Sequence, residues 1–432
     1  MPSPVFPTVH LPHLDEVELP LVQRVRLKQP ACEAIHDIEA AVRAEMAKSR
    51  RLRGLPRGAS VAVAVGSRGI AEIATLTRTV VACLQEIGLD PFIVPAMGSH
   101  GGGTAAGQVA VLAKLGVNEA AIGVPVRATM ETIGYGRTAG GIPCRFDAHA
   151  AAADAVVVIA RVKPHTSFER PIESGLVKMV AVGLGKQAGA RNVHRLGPRG
   201  FTEVLPELAR LALASSPLAF GLAVVENGAH RLVTIEGVEP EAFFAADERL
   251  LKHARRLHAR LPFARIDALA VERIGKEISG TGMDTGVIAR HDVRGIPNPD
   301  APFITKIAVL GLTEATAGNA VGIGVADFVP QAVANGVDLE ALYLNAITST
   351  MVEKAKIPVV LPDERTCLQA LVATCWADDL ARLRYGQIRD TLALEEMLAS
   401  PALVAEAGAA VEPLSAPEPL TFDAAGRLLT RV

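Results

Sequence analysis

The chain has 432 residues, of which half are hydrophobic and 21% are charged, with 44 Lys and Arg against 46 Asp and Glu. This composition is typical of a globular protein of two or three domains and not of a disordered chain, which combines low hydrophobicity with high net charge. The net charge of −2 argues against a nucleic acid partner, because proteins that bind nucleic acid carry a basic excess. We therefore expect a small-molecule substrate.

The cysteines are odd in number and scattered, and they form no CxxC pair, which argues against a disulfide framework or a thiolate zinc site. The first twenty residues lack the basic and apolar regions of a signal peptide. No apolar run approaches the ~20 residues that a membrane span needs. We expect a cytoplasmic protein with reduced thiols and no membrane partner.

Short β-branched runs alternate with longer stretches rich in Ala, Leu, Glu and Arg, which is the pattern of βα units around buried, largely parallel sheets. The predicted strands are Ser60–Val65, Phe92–Ala96, Ala155–Ala160, Phe220–Val225, Asp267–Val271, Ile304–Leu310 and Pro358–Leu361. The predicted helices are Glu72–Ile87, Thr104–Leu115, Thr202–Ser215 and Ala245–Leu261. This order predicts an α/β fold.

A domain boundary is predicted near residue 262, where the charged helix ERLLKHARRLHARLP gives way to a new strand. We expect two domains with Rossmann-like parallel sheets, residues 1–262 and residues 263–432, and an active-site cleft between them. The tail from about Pro401 is rich in Ala, Pro and Glu and is expected to pack loosely. The loop GKEISGTGMD in the second domain fits either a wall of the cleft or ordinary loop chemistry.

Three predicted strands end in glycine-rich or polar segments, GSRG, GSHGGG and KPH. Since ligands of open α/β sheets bind outside the carboxyl ends of the strands, these segments predict one site. Arg68 in the first segment suits a carboxylic acid substrate, because its guanidinium can donate two hydrogen bonds to a carboxylate. An ordinary surface arginine remains the alternative.

The second segment places His100 in a glycine-rich turn before Thr104, a candidate helix N-cap. Backbone N–H groups in such a turn can bind an anion such as phosphate. The segment lacks both the G-x-G-x-x-G order of a dinucleotide site and the GK[ST] ending of a P-loop. A simple tight turn is an equally good interpretation.

The third segment runs from His165 through Lys178, thirteen residues later, to His194, sixteen residues beyond that. Histidine suits acid–base chemistry near neutral pH and is the commonest metal ligand. A lysine next to small residues suits covalent chemistry at its amine or binding of a phosphate. The GLGK run at Gly183–Lys186 has the wrong spacing for a P-loop. Polar loop residues without a chemical role are the alternative.

These motifs resemble the nickel-dependent lactate racemase family of 2-hydroxyacid racemases and epimerases. The segment SGLVK and the histidine sixteen residues after its lysine carry the sharpest likeness. The resemblance implies covalent attachment of the cofactor to Lys178 and a nickel ligand in His194. It implies acid–base roles for His100 and His165 and a substrate-carboxylate role for Arg68. The cofactor-binding residues implied are Lys178, Ser174, Gly175 and His194.

The cofactor implied is the nickel-pincer nucleotide, pyridinium-3-thioamide-5-thiocarboxylic acid mononucleotide with Ni, which other proteins must synthesise. The reaction implied is reversible hydride transfer from the substrate α carbon to the cofactor, with the two histidines as acid and base. Glu169, Arg170 and Glu173 lie in a segment that is longer here than in the better-known lactate racemases, which suggests a larger or more polar acid than lactate. Two alternatives stay open: another hydride-dependent reaction of the same cofactor, or a cofactor-binding or storage protein without turnover.

Overall fold

The computed structural model describes residues 5–30, 32–67, 69–165 and 169–432. Within them the chain forms two compact units. The middle unit consists of residues 32–165 and Glu169–His258, and the terminal unit consists of residues 5–30 and Ala259–Val432. The middle unit combines helices with a largely parallel sheet and the terminal unit combines helices with a mixed sheet, which confirms the predicted two-part α/β fold.

The strands are numbered in chain order over the described residues. They are β1 (Leu21–Leu27), β2 (Ser60–Val65), β3 (Asp90–Pro95), β4 (Thr132–Arg137), β5 (Pro143–Asp147), β6 (Ala155–Arg161), β7 (Leu218–Glu226), β8 (Leu232–Val238), β9 (Arg265–Val271), β10 (Phe303–Val309), β11 (Phe328–Pro330), β12 (Val359–Leu361), β13 (Tyr385–Ile388), β14 (Glu396–Ala399), β15 (Val411–Pro413) and β16 (Glu418–Pro419). Each predicted strand corresponds to one of these, within two residues at either end.

The helices are α1 (Pro12–Asp15), α2 (Ile38–Met46), α3 (Arg50–Arg53), α4 (Ile73–Glu86), α5 (Ala105–Lys114), α6 (Glu119–Ile122), α7 (Ala148–Ala151), α8 (Leu176–Lys178), α9 (Lys186–His194), α10 (Gly197–Arg199), α11 (Leu205–Ser215), α12 (Phe243–Leu257), α13 (Gln331–Asn335), α14 (Leu339–Ser349), α15 (Glu364–Thr374) and α16 (Pro401–Ala407). Two π-helical segments, Met179–Gly183 and Gly200–Val204, adjoin α8 and α11. In the parts of the chain that the structure describes, no helix has the length and apolar character needed to cross a membrane.

The sheet of the middle unit has the strand order β3-β2-β6-β7-β8. Its first four strands run parallel and β8 is antiparallel to β7. The central strands β2 and β6 read SVAVAV and AVVVIAR, and nearly every residue in them is buried. Such β-branched, doubly buried strands form where helices cover both faces of a parallel sheet. A separate hairpin, β4–β5, completes the strands of this unit.

The sheet of the terminal unit has the order β12-β11-β10-β9-β13-β14-β1-β15. The strands from β12 to β13 are parallel, whereas β14, β1 and β15 pair antiparallel. The N-terminal strand β1 therefore lies between two strands from the end of the chain. The prediction of a loosely packed tail is wrong, because Leu403, Val411 and Leu428 are buried in the cores of this unit.

The connection from β9 to β10 in the terminal unit, residues 272–302, contains turns but no helix. It still buries apolar side chains, among them Met283 and Ile288. This long crossover contains the predicted glycine-rich loop around Ser279.

Candidate functional site

Adjacent parallel strands of the middle unit lead into the three segments that the sequence singles out. Val65 of β2 lies in register with Pro95 of β3 on one side and with Ile159 of β6 on the other. The three segments therefore start at one edge of the sheet, as predicted. Arg68, the predicted carboxylate-binding residue, lies outside the described residues.

The π-helical segment Met179–Gly183 contacts the loop that follows β3. The backbone N–H of Gly98 donates to the carbonyl oxygen of Gly183 at 3.1 Å. A Cβ on Gly183 would lie 2.7 Å from the carbonyl oxygen of Ala96, which is too close for any side chain. Glycine is therefore required for this approach, which brings the loop with His100 against the chain that follows α8.

Lys178, the predicted cofactor anchor, is the last residue of α8. The buried carboxylate of Asp247 on α12 accepts the backbone N–H groups of Leu176 at 3.0 Å and Val177 at 2.8 Å. A Cβ on Gly175 would lie 2.4 Å from Asp247 Oδ1, so the glycine makes room for this carboxylate. Burial raises the pKa of Asp247 to about 7, although the two N–H donors favour the ionised form. Asp247 thus fixes the start of the helix that presents Lys178.

The main chain around His165 is held by the segment that precedes α8. Lys163 and Ser174 pair as an antiparallel bridge, with N–H···O distances of 3.2 and 3.4 Å. The buried carboxylate of Glu173 accepts the N–H of His165 at 2.5 Å and pairs with Arg255 at 2.5 Å. Burial raises the pKa of Glu173, although these contacts act to lower it. The charge of Glu173 is therefore used to hold the loop and does not by itself indicate a polar substrate.

The ring of Phe201 brings three predicted site residues together. Its centroid lies 5.3 Å from that of His165 and 5.1 Å from that of His194, the latter in an edge-to-face arrangement. The ammonium of Lys178 lies 5.6 Å from the same centroid, within the range of a cation–π interaction. Phe201 itself is buried. A base candidate, the anchor candidate and the metal-ligand candidate thus contact one aromatic side chain.

His194, at the end of α9, is held in its neutral form. Burial, and after it the positive charge of Lys178, lower the pKa of His194 to about 4. A neutral imidazole has a nitrogen lone pair available, which metal ligation requires. Over the residues that the structure describes, no group of three or more His, Cys, Asp or Glu side chains is placed to hold a metal ion.

His100 lies at the tip of the loop after β3, where its side chain is exposed. Its Nδ1 is hydrogen-bonded to Ser67 Oγ in the loop after β2. The three glycines that follow, Gly101, Gly102 and Gly103, all have φ near +65°, a conformation that favours glycine. Thr104 then caps α5 by accepting the N–H of Gly107 at 3.1 Å, which confirms the predicted N-cap.

Lys186, the lysine of the GLGK run, is fully buried and structural. Its ammonium donates to the carbonyl oxygen of Pro95 at 2.7 Å and to Gln108 Oε1 at 2.5 Å. It also pairs with the buried carboxylate of Asp147 at 3.4 Å. Burial lowers the pKa of Lys186, and Asp147 opposes that shift. The lysine joins β3, α5 and β5 in the core, in agreement with the rejection of a P-loop.

The structure adds two residues that the sequence interpretation did not assign, Phe201 and Asp247, and it gives Glu173 a structural role in place of the suggested link to a polar substrate. Asp247 could have been noticed from the sequence, because it lies on the apolar face of α12, where a buried carboxylate needs a hydrogen-bonding partner. Phe201 had no comparable signal, because an aromatic residue at the start of a predicted helix is usually ordinary core.

The glycine-rich loop of the terminal unit makes backbone and side-chain contacts within its own unit. Lys276 Nζ donates to the carbonyl oxygen of Gly280 at 3.1 Å and to Asn345 Oδ1 at 3.0 Å. A Cβ on Gly322 would lie 1.7 Å from the carbonyl oxygen of Thr281, so two glycine-rich loops pack backbone against backbone. These contacts favour ordinary loop chemistry for the segment.

No family model and no curated protein matches this sequence. Among solved structures, the chain is similar to the lactate racemase apoprotein from Thermoanaerobacterium thermosaccharolyticum, with a TM-score of 0.43 and 13% sequence identity. The likeness covers 78% of this chain and 94% of that one. It is a distant likeness, and it transfers no residue role to this chain.

Proposed function

We propose that this protein is a 2-hydroxyacid racemase or epimerase with a nickel-pincer nucleotide attached to Lys178. The observation that carries the proposal is the convergence of His165, Lys178 and His194 on the ring of Phe201. The resemblance to the nickel-dependent lactate racemase family implies roles in catalysis, cofactor attachment and metal binding for these three residues. Their contact with one side chain in the fold supports assigning them to one site.

Lys178 and His194 are the residues that would hold the cofactor, Lys178 by a covalent bond from its amine and His194 as a ligand of nickel. The neutral imidazole of His194 fits a metal ligand, and Lys178 contacts the same ring of Phe201 as His194 does. When bound, the cofactor supplies a hydride acceptor for the carbon that bears the substrate hydroxyl.

His165 and His100 are the proposed acid–base pair. A racemase needs two such groups because the hydroxyl proton of either enantiomer must be removed and returned. His165 is oriented by the contact of its ring with Phe201 and by the bond from its backbone N–H to Glu173. His100 is held through its Nδ1 by Ser67. Arg68 is proposed to bind the substrate carboxylate through its guanidinium.

The first test asks whether Lys178 carries the cofactor. The full chain is expressed together with nickel and the enzymes that make the cofactor, and its intact mass and nickel content are measured. We expect an adduct on the wild-type chain that Lys178→Arg abolishes and the exposed control Lys252→Arg retains. A known lactate racemase loaded in the same cells is the positive control. If it is loaded and this chain remains unmodified, the proposal is wrong.

The second test asks whether the loaded protein turns over. We expect wild-type protein to racemise a member of a 2-hydroxyacid panel and His165→Ala to lose at least about 100-fold in kcat, the usual contribution of a general acid or base. The adduct should persist in His165→Ala. A loaded wild-type protein that racemises none of the panel would instead support a cofactor-storage role.

A further inference from the structure

We propose that Asp247 is a positioning residue for cofactor attachment, which acts on Lys178 through the backbone of α8. This inference rests on the role proposed for Lys178. One carboxylate oxygen of Asp247 accepts the N–H of Leu176 at 3.0 Å, and the other accepts the N–H of Val177 at 2.8 Å. A backbone N–H can only donate, so the direction of both bonds is fixed. Together they orient the first turn of α8, and Lys178 is the next residue.

The start of α8 is held by a distant residue, whereas other helices of the middle unit are capped locally. The residues that precede α2, α5 and α6 accept an N–H of the first helical turn; they are Asp37, Thr104 and Asn118. The residue that precedes α8 is Gly175, which has no side chain. The acceptor comes instead from Asp247 on α12, 71 positions away in sequence. A local cap would also satisfy N–H groups of this turn, but only the distant carboxylate fixes α8 to α12.

This arrangement is costly, which indicates that the position of α8 matters more than its stability. The side chain of Asp247 is buried, and a buried carboxylate loses its hydration. A serine or threonine at position 175 would cap the helix without burying a charge. Instead, the glycine there leaves room for the carboxylate, because a Cβ would lie 2.4 Å from Asp247 Oδ1. Sequences depart from such local rules mainly at functional sites.

Helix α12 is a firm support for this carboxylate. Leu176, the first residue of α8, and Phe243, the first residue of α12, are fully buried against the same glycine of β7. A Cβ on that glycine, Gly221, would lie 2.7 Å from Leu176 Cδ2 and 2.8 Å from the Phe243 ring. Farther along α12, Arg255 pairs at 2.5 Å with the buried carboxylate of Glu173, in the segment that precedes α8. Contacts on both sides of the capping carboxylate therefore hold α12 in place.

The orientation of α8 decides where the amine of Lys178 lies. Lys178 is the last residue of the helix, and its ammonium lies 5.6 Å from the centroid of the Phe201 ring. The rings of His165 and His194 contact Phe201 as well. Rotation of the first turn would move the amine relative to all three rings. A displacement of about 1 Å can slow a reaction between held groups by about 100-fold.

The decisive measurement is the position of the Lys178 side chain in the full chain without cofactor. The ring current of Phe201 shifts the NMR signal of the lysine ε-methylene, which is read from protein labelled with ¹³C on lysine. Lys178→Arg assigns this signal, and Phe201→Leu gives its position without the ring. We expect Asp247→Ala to move the signal toward that position and to speed exchange of the Leu176 and Val177 amides by at least about tenfold. An unchanged signal in Asp247→Ala would overturn the inference, whatever reaction the protein catalyses.

Asp247→Asn is the second variant, because it keeps one acceptor oxygen and the shape of the side chain. We expect its signal between those of wild type and Asp247→Ala, since one of the two N–H groups then faces an amide donor. If Asp247→Ala does not fold, Asp247→Asn decides the question, and a signal identical to that of wild type would again overturn the inference.

The control is Leu84→Ala, which lowers the stability of the middle unit without changing α8 or α12. Leu84 is fully buried on α4, a helix that packs against α2, α6, β2 and β3. Its replacement leaves a cavity in the core. The Lys178 signal should stay as in wild type. A shift as large as in Asp247→Ala would mean that lost stability alone displaces the lysine, and it would overturn the inference.

In cells that load the wild-type chain, we expect Asp247→Ala to gain the adduct at least about tenfold more slowly. Intact mass at successive times after induction measures the rate, and Leu84→Ala should load as fast as wild type. Equal rates in wild type and Asp247→Ala, together with a shifted lysine signal, would overturn the role of Asp247 in attachment. If the known lactate racemase is loaded and the wild-type chain is not, the proposed function fails, while the lysine signal still decides whether Asp247 positions Lys178.

Discussion

The strand-end loops of the middle unit and the β9–β10 crossover of the terminal unit contain the same kinds of residue and use them differently. In the middle unit, His165, Lys178 and His194 contact the ring of Phe201. In the crossover, Arg290 donates to the carbonyl oxygens of Ile304, Thr305 and Val325. Cations in the crossover are thus used to bind backbone carbonyl groups, here those of β10 and of the chain before β11.

This difference shows that a glycine-rich, charged segment can be either a candidate site or a structural loop. A segment of 31 residues without a helix leaves carbonyl groups without intrahelical partners, and Lys276 donates to one of them, that of Gly280. In the middle unit, Glu173 and Gln108 hold the loop backbone, and the three candidate site residues contact the ring of Phe201. Which use applies depends on the local backbone and cannot be read from composition.

Removing the ring of Phe201 should have the largest effect. We expect Phe201→Ala to lower the free energy of unfolding of the middle unit by about 4 kcal/mol, since a buried phenylalanine is replaced by a cavity. Phe201→Leu should cost about 1 kcal/mol because it nearly conserves volume. Hydrogen exchange of the β2 and β6 amides measures both. A cost near zero, like that expected for the exposed Phe303→Ala, would contradict a central role for this ring.

Breaking the buried lysine network should rank second. We expect Lys186→Met to cost about 3 kcal/mol, because it leaves the buried carboxylate of Asp147 without its ion pair. Lys186 has a φ of 55°, a conformation that is equally unfavourable for lysine and for methionine. Backbone strain is therefore the same in both proteins and does not contribute to the expected loss of stability. The same exchange measurement on β3 and β5 tests it. A stabilised variant would mean that desolvation of the pair outweighs its attraction.

The crossover of the terminal unit offers the matched test. We expect Arg290→Ala to cost about 2 kcal/mol through lost hydrogen bonds to carbonyl groups and to Asp327, which pairs with it at 2.8 Å. Arg290→Lys should recover less than half of this, since an ammonium cannot reproduce the forked geometry. The loss should appear as faster exchange in β10. Full recovery by lysine would show that charge alone matters there.

The last effect concerns pH and is similar in size. Burial raises the pKa of Asp247 from its usual value of 3.8 to about 7, so between these values the folded protein keeps a proton that the unfolded chain has lost. The contribution of Asp247 to stability therefore falls as pH rises from about 4 to about 7. We expect Asp247→Asn, which cannot titrate, to remove about 2 kcal/mol of that dependence between pH 5 and pH 7. Urea unfolding of both proteins at pH 5 and pH 7 measures it. The same change in the free energy of unfolding between the two pH values in wild type and Asp247→Asn would contradict the prediction.

The parallel strands could be predicted from the sequence because their signal is local. The runs SVAVAV and AVVVIA are short, β-branched and uninterrupted, and they correspond to β2 and β6 to within one residue. The ends of these strands then locate the three polar segments at one edge without further information.

The antiparallel part of the terminal unit could not be predicted in the same way. The sequence analysis placed the first 30 residues with the N-terminal domain, whereas β1 pairs with β14 and β15 in the terminal unit. Gln23 lies opposite Ala399, and nothing in either short segment identifies so distant a partner. The same pairing explains why the tail, which looks like a linker by composition, is part of the core.

Within the candidate site, the motifs and the family resemblance predicted the polar members, but not the groups that hold them. His165, Lys178 and His194 follow from motifs on one stretch of chain. Phe201 and Asp247 matter only because the chain folds back on that stretch through α10 and α12. Motifs on one stretch of chain can be recognised from the sequence. The contacts that hold their side chains come from distant residues and can be recognised only from the fold.

The position of β1 also bears on how the protein is made in a cell. A ribosome that adds about 5 to 20 residues per second needs about 20 to 75 s to proceed from Gln23 to its partner Ala399. Every strand of the middle unit is complete long before then. Strand β1 therefore leaves the ribosome before the strands of the middle unit but is paired only after them, and its unpaired edge must be kept from other chains in the meantime. Moving residues 5–30 behind residue 432 by circular permutation would remove that delay.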